Sequence, residues 1–167
     1  MSETLAKWNR LPREDAAREI LPCCGSGFWA REMAARRPFA DEASLLAVSE
    51  EAWRNLARED WMEAFRSHPR IGESQASAGP AAGWSSQEQR NVSQAAETVK
   101  AELAVGNREY ERRFGHIFIV CASGRTAPEI LAILRRRLQS DDKTELREAA
   151  EEQRQIMLIR LRKWLSQ

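Results

Sequence analysis

Only one stretch of this sequence could form a buried strand, and nothing else in the chain offers to pair with it. The run Ile117-Phe118-Ile119-Val120-Cys121 is five consecutive apolar residues, which fits either a buried strand or a turn of buried helix. A lone strand leaves its backbone donors and acceptors without a ladder, so helix or irregular buried backbone is expected here. Elsewhere the apolar spacing is helical. From Asp41 to Leu56 the residues Leu45, Leu46, Val48, Ala52, Trp53 and Leu56 repeat mainly at three, four and seven, with Asp41 and Glu42 at the end the helix dipole favours. A second helix is expected over Asp60 to Arg66; Pro69 denies His68 comfortable helical geometry and stops it there.

The stretch from Glu73 to Gly83 is small and polar, with Gly79-Pro80 and Gly83 as breakers, and reads as a long loop of the kind that often carries function. A long helix is then expected from about Ser85 to Val105 and another from Arg108 to Phe114. Thr126-Ala127-Pro128-Glu129 has the form of a capping box with an early proline, and Ile130, Leu131, Leu134 and Leu138 make an inner face behind it. A last helix spans Asp142 to Leu165. The expectation is an all-α fold, bundle-like, with several helices in a single domain over residues 1–167, a length able to bury a sizeable core without staples.

Charge narrows the partners. Twenty-six Lys and Arg against 25 Asp and Glu leave a formal +1, too balanced for a general attraction to nucleic acid or to an acidic membrane surface. Arg135-Arg136-Arg137 reads as a solvated helix face or an oligomer contact. Three cysteines, two of them the adjacent Cys23 and Cys24, do not make a disulfide framework, and reduced thiols imply the cytosol. No apolar run approaches a membrane span, and the N-terminus lacks the order of a signal peptide. Neither metal-ligand spacing nor a glycine-rich phosphate loop is present, so no cofactor is expected.

A few side chains could carry chemistry. His68 titrates near neutral pH and sits where a helix gives way to a long loop; it is either an exposed structural residue or a proton donor and acceptor. His116 reads as a packing or surface residue. Ser85, Glu88 and Gln89 share one helical face, and Ser85-Ser86-Gln87-Glu88 also reads as a capping box whose free amides and positive dipole end would suit an anion. Arg160 shares an apolar face with Ile156, Met157 and Trp164, which calls for a buried ion pair or for a carboxylate or amide-rich ligand.

The segments "SHPRIGE", "WSSQEQ", "NREYERRFGHIFIVCASGRTAPEIL" and "ELREAAEEQRQIMLIRLRKWL", with Cys24-Gly25-Ser26, Trp29, Met33, Arg37-Pro38 and Glu63-Ala64-Phe65, closely resemble the family of 2-oxo-4-hydroxy-4-carboxy-5-ureidoimidazoline (OHCU) decarboxylases of urate degradation. The resemblance covers nearly the whole chain in order, and its most specific part is His-Pro followed by Ser-x-x-Glu-Gln. It implies an all-α homodimer that converts a small ureide to CO2 and (S)-allantoin without metal or organic cofactor, with no nucleic-acid or membrane partner. By motif position it implies His68 and Glu88 as the catalytic pair. Pro69, Ser85, Ser86, Gln87, Glu88 and Gln89 would contact the substrate, Val120, Cys121, Ala122, Ser123 and Gly124 would lie beside it, and Arg160 would meet a carbonyl or carboxylate. Ser140 stands where the family pattern leads one to expect asparagine, His116 varies in the family, and the C-terminus lacks the peroxisomal tripeptide of some relatives, so a cytoplasmic location is expected. Two other readings compete: a related lyase or hydrolase on another cyclic ureide, and a noncatalytic helical interaction module.

Overall fold

The computed structural model describes residues 2–73 and 80–167. Among them there is no strand; ten helices account for the regular structure, so the all-α expectation holds. They are α1 (Glu3–Trp8), α2 (Arg13–Cys24), α3 (Gly27–Ala35), α4 (Glu42–Arg54), α5 (Arg58–Arg66), α6 (Pro80–Glu88), α7 (Arg90–Ser93), α8 (Glu97–Phe114), α9 (Ala127–Arg137) and α10 (Asp142–Leu165). By packing, the chain divides into two compact units, one made of Met1–Ala64 with Arg154–Gln167 and the other of Phe65–Gln153.

In the first unit α2 packs on α3 and α3 on α4. Helix α2 ends at Gly25, whose φ of 88° is a left-handed turn that glycine adopts without strain, and Ser26 then caps α3 through the amide of Trp29. Asp41, expected only to suit this helix end by its charge, also caps α4: it accepts from the amide of Ser44, and the Ser44 side chain answers to the Asp41 amide. Tryptophans fill this core, and the indole N–H groups of Trp8 and Trp29 each find a carbonyl. Trp8 donates to Ala16 O at 2.9 Å and Trp29 to Ser49 O at 3.2 Å. Trp8 also stacks on Phe39 and meets Trp164 edge-on. Cys23, Cys24 and Cys121 are buried free thiols.

The second unit is built on α8 against α9. Its core gathers Leu103, Tyr110, Ile130, Leu134 and Leu138 with Phe118, Val120 and Ala122 from the segment between the two helices. That segment is neither helix nor strand, so the irregular buried backbone foreseen as one alternative is what forms. Helix α9 starts as expected, with Thr126 and Glu129 in a reciprocal capping box and Pro128 in the first turn.

Three boundaries differ from those expected. Helix α6 begins at Pro80, inside the stretch read as a loop; residues 74–79 of that stretch lie outside the described residues. A proline in a first turn forfeits no hydrogen bond, so Pro80 is compatible with a helix start. The expected helix from Ser85 to Val105 is instead interrupted twice, at Gln89 and over Gln94–Ala96, although no Gly or Pro marks either break. Burial decides there, for Val92 is drawn into the core at 1% exposure. Conversely α8 runs unbroken through Gly106-Asn107, where a division had been expected. A Cβ at Gly106 would stand 2.6 Å from a Leu134 methyl, so this glycine is a notch that lets α9 approach.

Arg137 overturns the reading of the arginine run as a solvated face. Arg135 and Arg136 are exposed and pair with Glu102 and Glu148, but Arg137 is fully buried. It bonds Glu145, donates to Ile119 O at 2.7 Å, and lies over the Phe118 ring at 4.7 Å.

Candidate functional site

Helix α5 stops at Arg66, and the amide of His68 donates back to Phe65 O at 3.2 Å, so the chain leaves the helix at the histidine as Pro69 requires. His68 and Pro69 are both half-buried, and the Nε2 atom of His68 is shielded from bulk water. The following turn is held from several sides. Asn107, buried on α8, donates Nδ2 to Ile71 O at 2.9 Å; Arg70 forms a two-pronged pair with Glu111, one arm 3.0 Å; and Gly72, at φ 89°, donates its amide to the Gln89 side chain at 2.9 Å. The last of these ties the backbone four positions past His68 to the residue that follows Glu88.

Glu88 is the final residue of α6, with Ser85 one turn earlier, and the Gln89 amide closes that turn on Ser85 O at 3.1 Å. Ser85, Glu88 and Gln89 therefore share a face. Ser85 is buried at 5% exposure, Glu88 and Gln89 are half-buried, and Ser86 and Gln87 turn outward to solvent. The capping box is not formed. Because α6 begins at Pro80, Ser85 lies inside the helix, and no free amides or positive dipole end are presented around Ser85 to Glu88. The carboxylate instead occupies a helix C-terminus, where the dipole opposes its charge.

The segment Val120-Cys121-Ala122-Ser123-Gly124 comes to the same part of this unit. Asn91 on α7 donates to Arg125 O at 3.0 Å, fastening the end of the segment beside the Glu88–Gln89 junction. The thiol of Cys121 is raised above its ordinary range, first by burial, with a backbone hydrogen bond from Ser123 opposing and the charges of Glu152 and Glu88 adding to it. Val120, Cys121 and Ala122 are buried, Ser123 and Gly124 exposed, and Gly124 takes a left-handed φ of 76°. The Cys121 amide is already committed, donating to Glu152 Oε2 at 2.6 Å. Neither Glu152 nor Asn107 stood out in the sequence. A glutamate late in one helix and an asparagine beside a glycine in another carry no local signal of what backbone they will meet.

Arg160 belongs to the other unit, on α10 among Ile156, Met157, Leu161 and Trp164. It is 1% exposed and its Nη1 donates to Pro22 O at 3.4 Å. His116 is a packing residue, 5.2 Å from the Phe65 ring and 5.4 Å from that of Tyr110. Among the described residues no group of three or more His, Cys, Asp or Glu could hold a metal ion, and no helix is long and apolar enough to cross a membrane.

Comparison with known proteins bears on the same residues. A family model described as OHCU decarboxylase matches residues 9–162. The uric acid degradation bifunctional protein TTL of Arabidopsis thaliana is 36% identical over 152 residues, which cover 86% of this chain and 45% of that protein. The 2-oxo-4-hydroxy-4-carboxy-5-ureidoimidazoline decarboxylase of Haloferax volcanii is 28% identical over 135 residues, 80% of this chain and 79% of that one. The chain thus spans less than half the length of the plant relative. Among solved structures, an OHCU decarboxylase crystallised in the presence of (S)-allantoin superposes with a TM-score of 0.78 at 34% identity, covering 89% of this chain and 98% of that one. With a match running through both units and across nearly every residue, this chain belongs to the OHCU decarboxylase family.

Proposed function

We propose that this protein is a lyase of urate degradation that decarboxylates OHCU to (S)-allantoin without a cofactor. The observation that carries the reading is the similarity to an OHCU decarboxylase along 98% of that enzyme's chain, at 34% identity. Departure of CO2 breaks a carbon–carbon bond and leaves its electron pair on the ring carbon, where the adjacent carbonyl delocalises it as an enolate. The site then has two tasks: to hold the enolate oxygen with fixed donors, and to deliver one proton to one face.

His68 is the proton carrier in this proposal, and Glu88 fixes its tautomer and stabilises the imidazolium. The bond between Gly72 and Gln89, which ties the His68 turn to the end of α6, supports that pairing. The Gln89 side-chain oxygen is occupied by the same bond, so its contact with substrate falls to the amide nitrogen. With the Cys121 amide held by Glu152 and the Ser123 amide bonded to the Cys121 thiol, the enolate donors narrow to the amides of Val120, Ala122 and Gly124. Pro69, Ser85, Ser86 and Gln87 complete the set of contacts, although the exposure of Ser86 and Gln87 makes them the weakest members. Arg160 remains in the proposal on its place in the family motif alone. A homodimer in the cytoplasm is part of the same reading; the three unbridged thiols suit a reducing compartment, and light scattering would read twice 19.1 kDa.

The deciding experiment is chiral analysis of allantoin formed from fresh OHCU with and without the protein. An excess of the S enantiomer, lost in His68→Asn together with a fall in kcat of about a hundredfold, is the expected result. A racemic product in both tubes refutes the proposal. Ring opening without gas would favour a hydrolase of another cyclic ureide, and no turnover of any ureide would favour a noncatalytic helical module.

A further inference from the structure

From Ile117 to Ala122 the chain crosses the interior of the second unit with no helix or ladder to satisfy its backbone, yet Phe118 to Ala122 are all buried. Buried peptide groups need partners, and side chains supply two of them. Arg137 Nη1 donates to Ile119 O at 2.7 Å, and Glu152 Oε2 accepts from the Cys121 amide at 2.6 Å. Glu152 is 7% exposed and is itself gripped by both arms of Arg125, Nη1 to Oε2 at 2.8 Å and Nη2 to Oε1 at 3.2 Å. Arg125 in turn ends the segment, and its carbonyl is fastened to Asn91, three residues past Glu88.

The pair thus closes a loop of bonds. One carboxylate holds the middle of the segment, and the guanidinium that orients this carboxylate belongs to the residue at the segment's far end. A two-pronged arginine–carboxylate contact fixes angle as well as distance, and it is stronger than a neutral hydrogen bond. Such a clamp is more than solubility or bulk packing requires.

We propose that Arg125 and Glu152 are positioning residues: they set the course of Val120 to Gly124 past the Glu88 end of α6 and so fix the amides that meet the developing negative charge. This rests on the decarboxylase reading above. Neither residue touches the reacting atoms; they act through the Cys121 amide and the turn that follows it.

Two variants test it, with steady-state kinetics on OHCU and amide exchange by NMR. Glu152→Ala removes the acceptor; kcat falls between about tenfold and a hundredfold while KM stays within about twofold, since donors aligned to the transition state are lost and ground-state binding is not. Glu152→Gln keeps an oxygen for the Cys121 amide but loses the ion pair, and its kcat lies between the other two. The Cys121 amide, slow to exchange in the wild type, becomes fast in Glu152→Ala only. A wild-type kcat in Glu152→Ala overturns the proposal, as does a loss of kcat that merely tracks the folded fraction by circular dichroism. Should Glu152→Ala not fold, equal kcat in Glu152→Gln and wild type overturns it. If the wild-type protein itself fails to outpace spontaneous decay of OHCU, the decarboxylase reading falls and takes the catalytic role of the clamp with it; an active wild type whose variants keep its kcat removes the clamp alone.

Discussion

Replacing Arg137 by methionine keeps most of the side chain's length and removes its charge, which makes it a direct test of what the buried arginine contributes. Four hydrogen bonds and a ring contact disappear: Nε to Glu145 Oε1 at 2.8 Å with a second arm on the same oxygen, Nη1 to Ile119 O at 2.7 Å, a long contact to the Tyr110 hydroxyl at 3.4 Å, and the guanidinium over Phe118. The methionine also leaves a buried carboxylate whose remaining donor among the described residues is the Tyr110 hydroxyl. Glu145 is 0% exposed, and among the described residues its Oε2 has no hydrogen-bond partner even with the arginine present. Breaking a buried pair by removing one member costs about 3–5 kcal/mol, most of it the penalty of the charge left behind. For a chain of this size that corresponds to a fall in Tm of roughly 6–20 °C. Urea unfolding followed by tryptophan fluorescence gives the free energy directly. Arg137→Met combined with Glu145→Leu removes both charges and is expected to regain more than half of the loss, because well-packed apolar residues replace a buried pair at little net cost. A single variant within about 1 kcal/mol of wild type, or a double variant no better than the single, refutes the reasoning.

Gly106→Ala is expected to destabilise by about 1–3 kcal/mol, against the helix propensity of alanine, because its Cβ collides with buried Leu134; a neutral or stabilising result would remove the notch. Glu148 is held below its ordinary 4.5, first by the hydrogen bond from Arg136. A carboxyl depressed on folding stabilises fully above about pH 4.5 and loses that contribution as pH falls through the folded value, so acid titrations of wild type and Arg136→Met should converge at low pH; curves a constant distance apart would contradict this. Burial pushes the Cys23 thiol up to about 12 and the Cys24 thiol higher still, so neither should react with Ellman's reagent in native protein, and both should react in urea; labelling of the folded chain at pH 8 would be inconsistent with that burial.

What the sequence reveals depends on how far the determining contact lies along the chain. The cap of α9 is written within four residues, and Thr126 and Glu129 behave as their pattern says, while Asp41 stands at the helix end its charge favours. Helix α10 keeps its expected bounds, Asp142–Leu165. The misreadings at Ser85, Gly106 and Arg137 share a cause. Each residue's local pattern had a good local explanation, a cap, a breaker or a solvated face, and in each case a contact elsewhere prevailed: an earlier helix start, a neighbouring helix, a buried carboxylate. Of the site, the histidine at a helix end and the face shared by Ser85, Glu88 and Gln89 were legible. The partners of the turn after His68 were not, since Asn107 and Gln89 reach it across 36 and 17 positions.

The passage from Ile117 to Ala122 gains its shape from groups rooted in distant helices, the guanidinium of Arg137 and the carboxylate of Glu152. Instructions for its path are thus stored outside it. The side chains within the passage, Val120 and Cys121 among them, can be exchanged during evolution for others of similar bulk while the trace of the main chain persists. A lineage could in this way vary what the passage presents while the distant guanidinium and carboxylate keep its course.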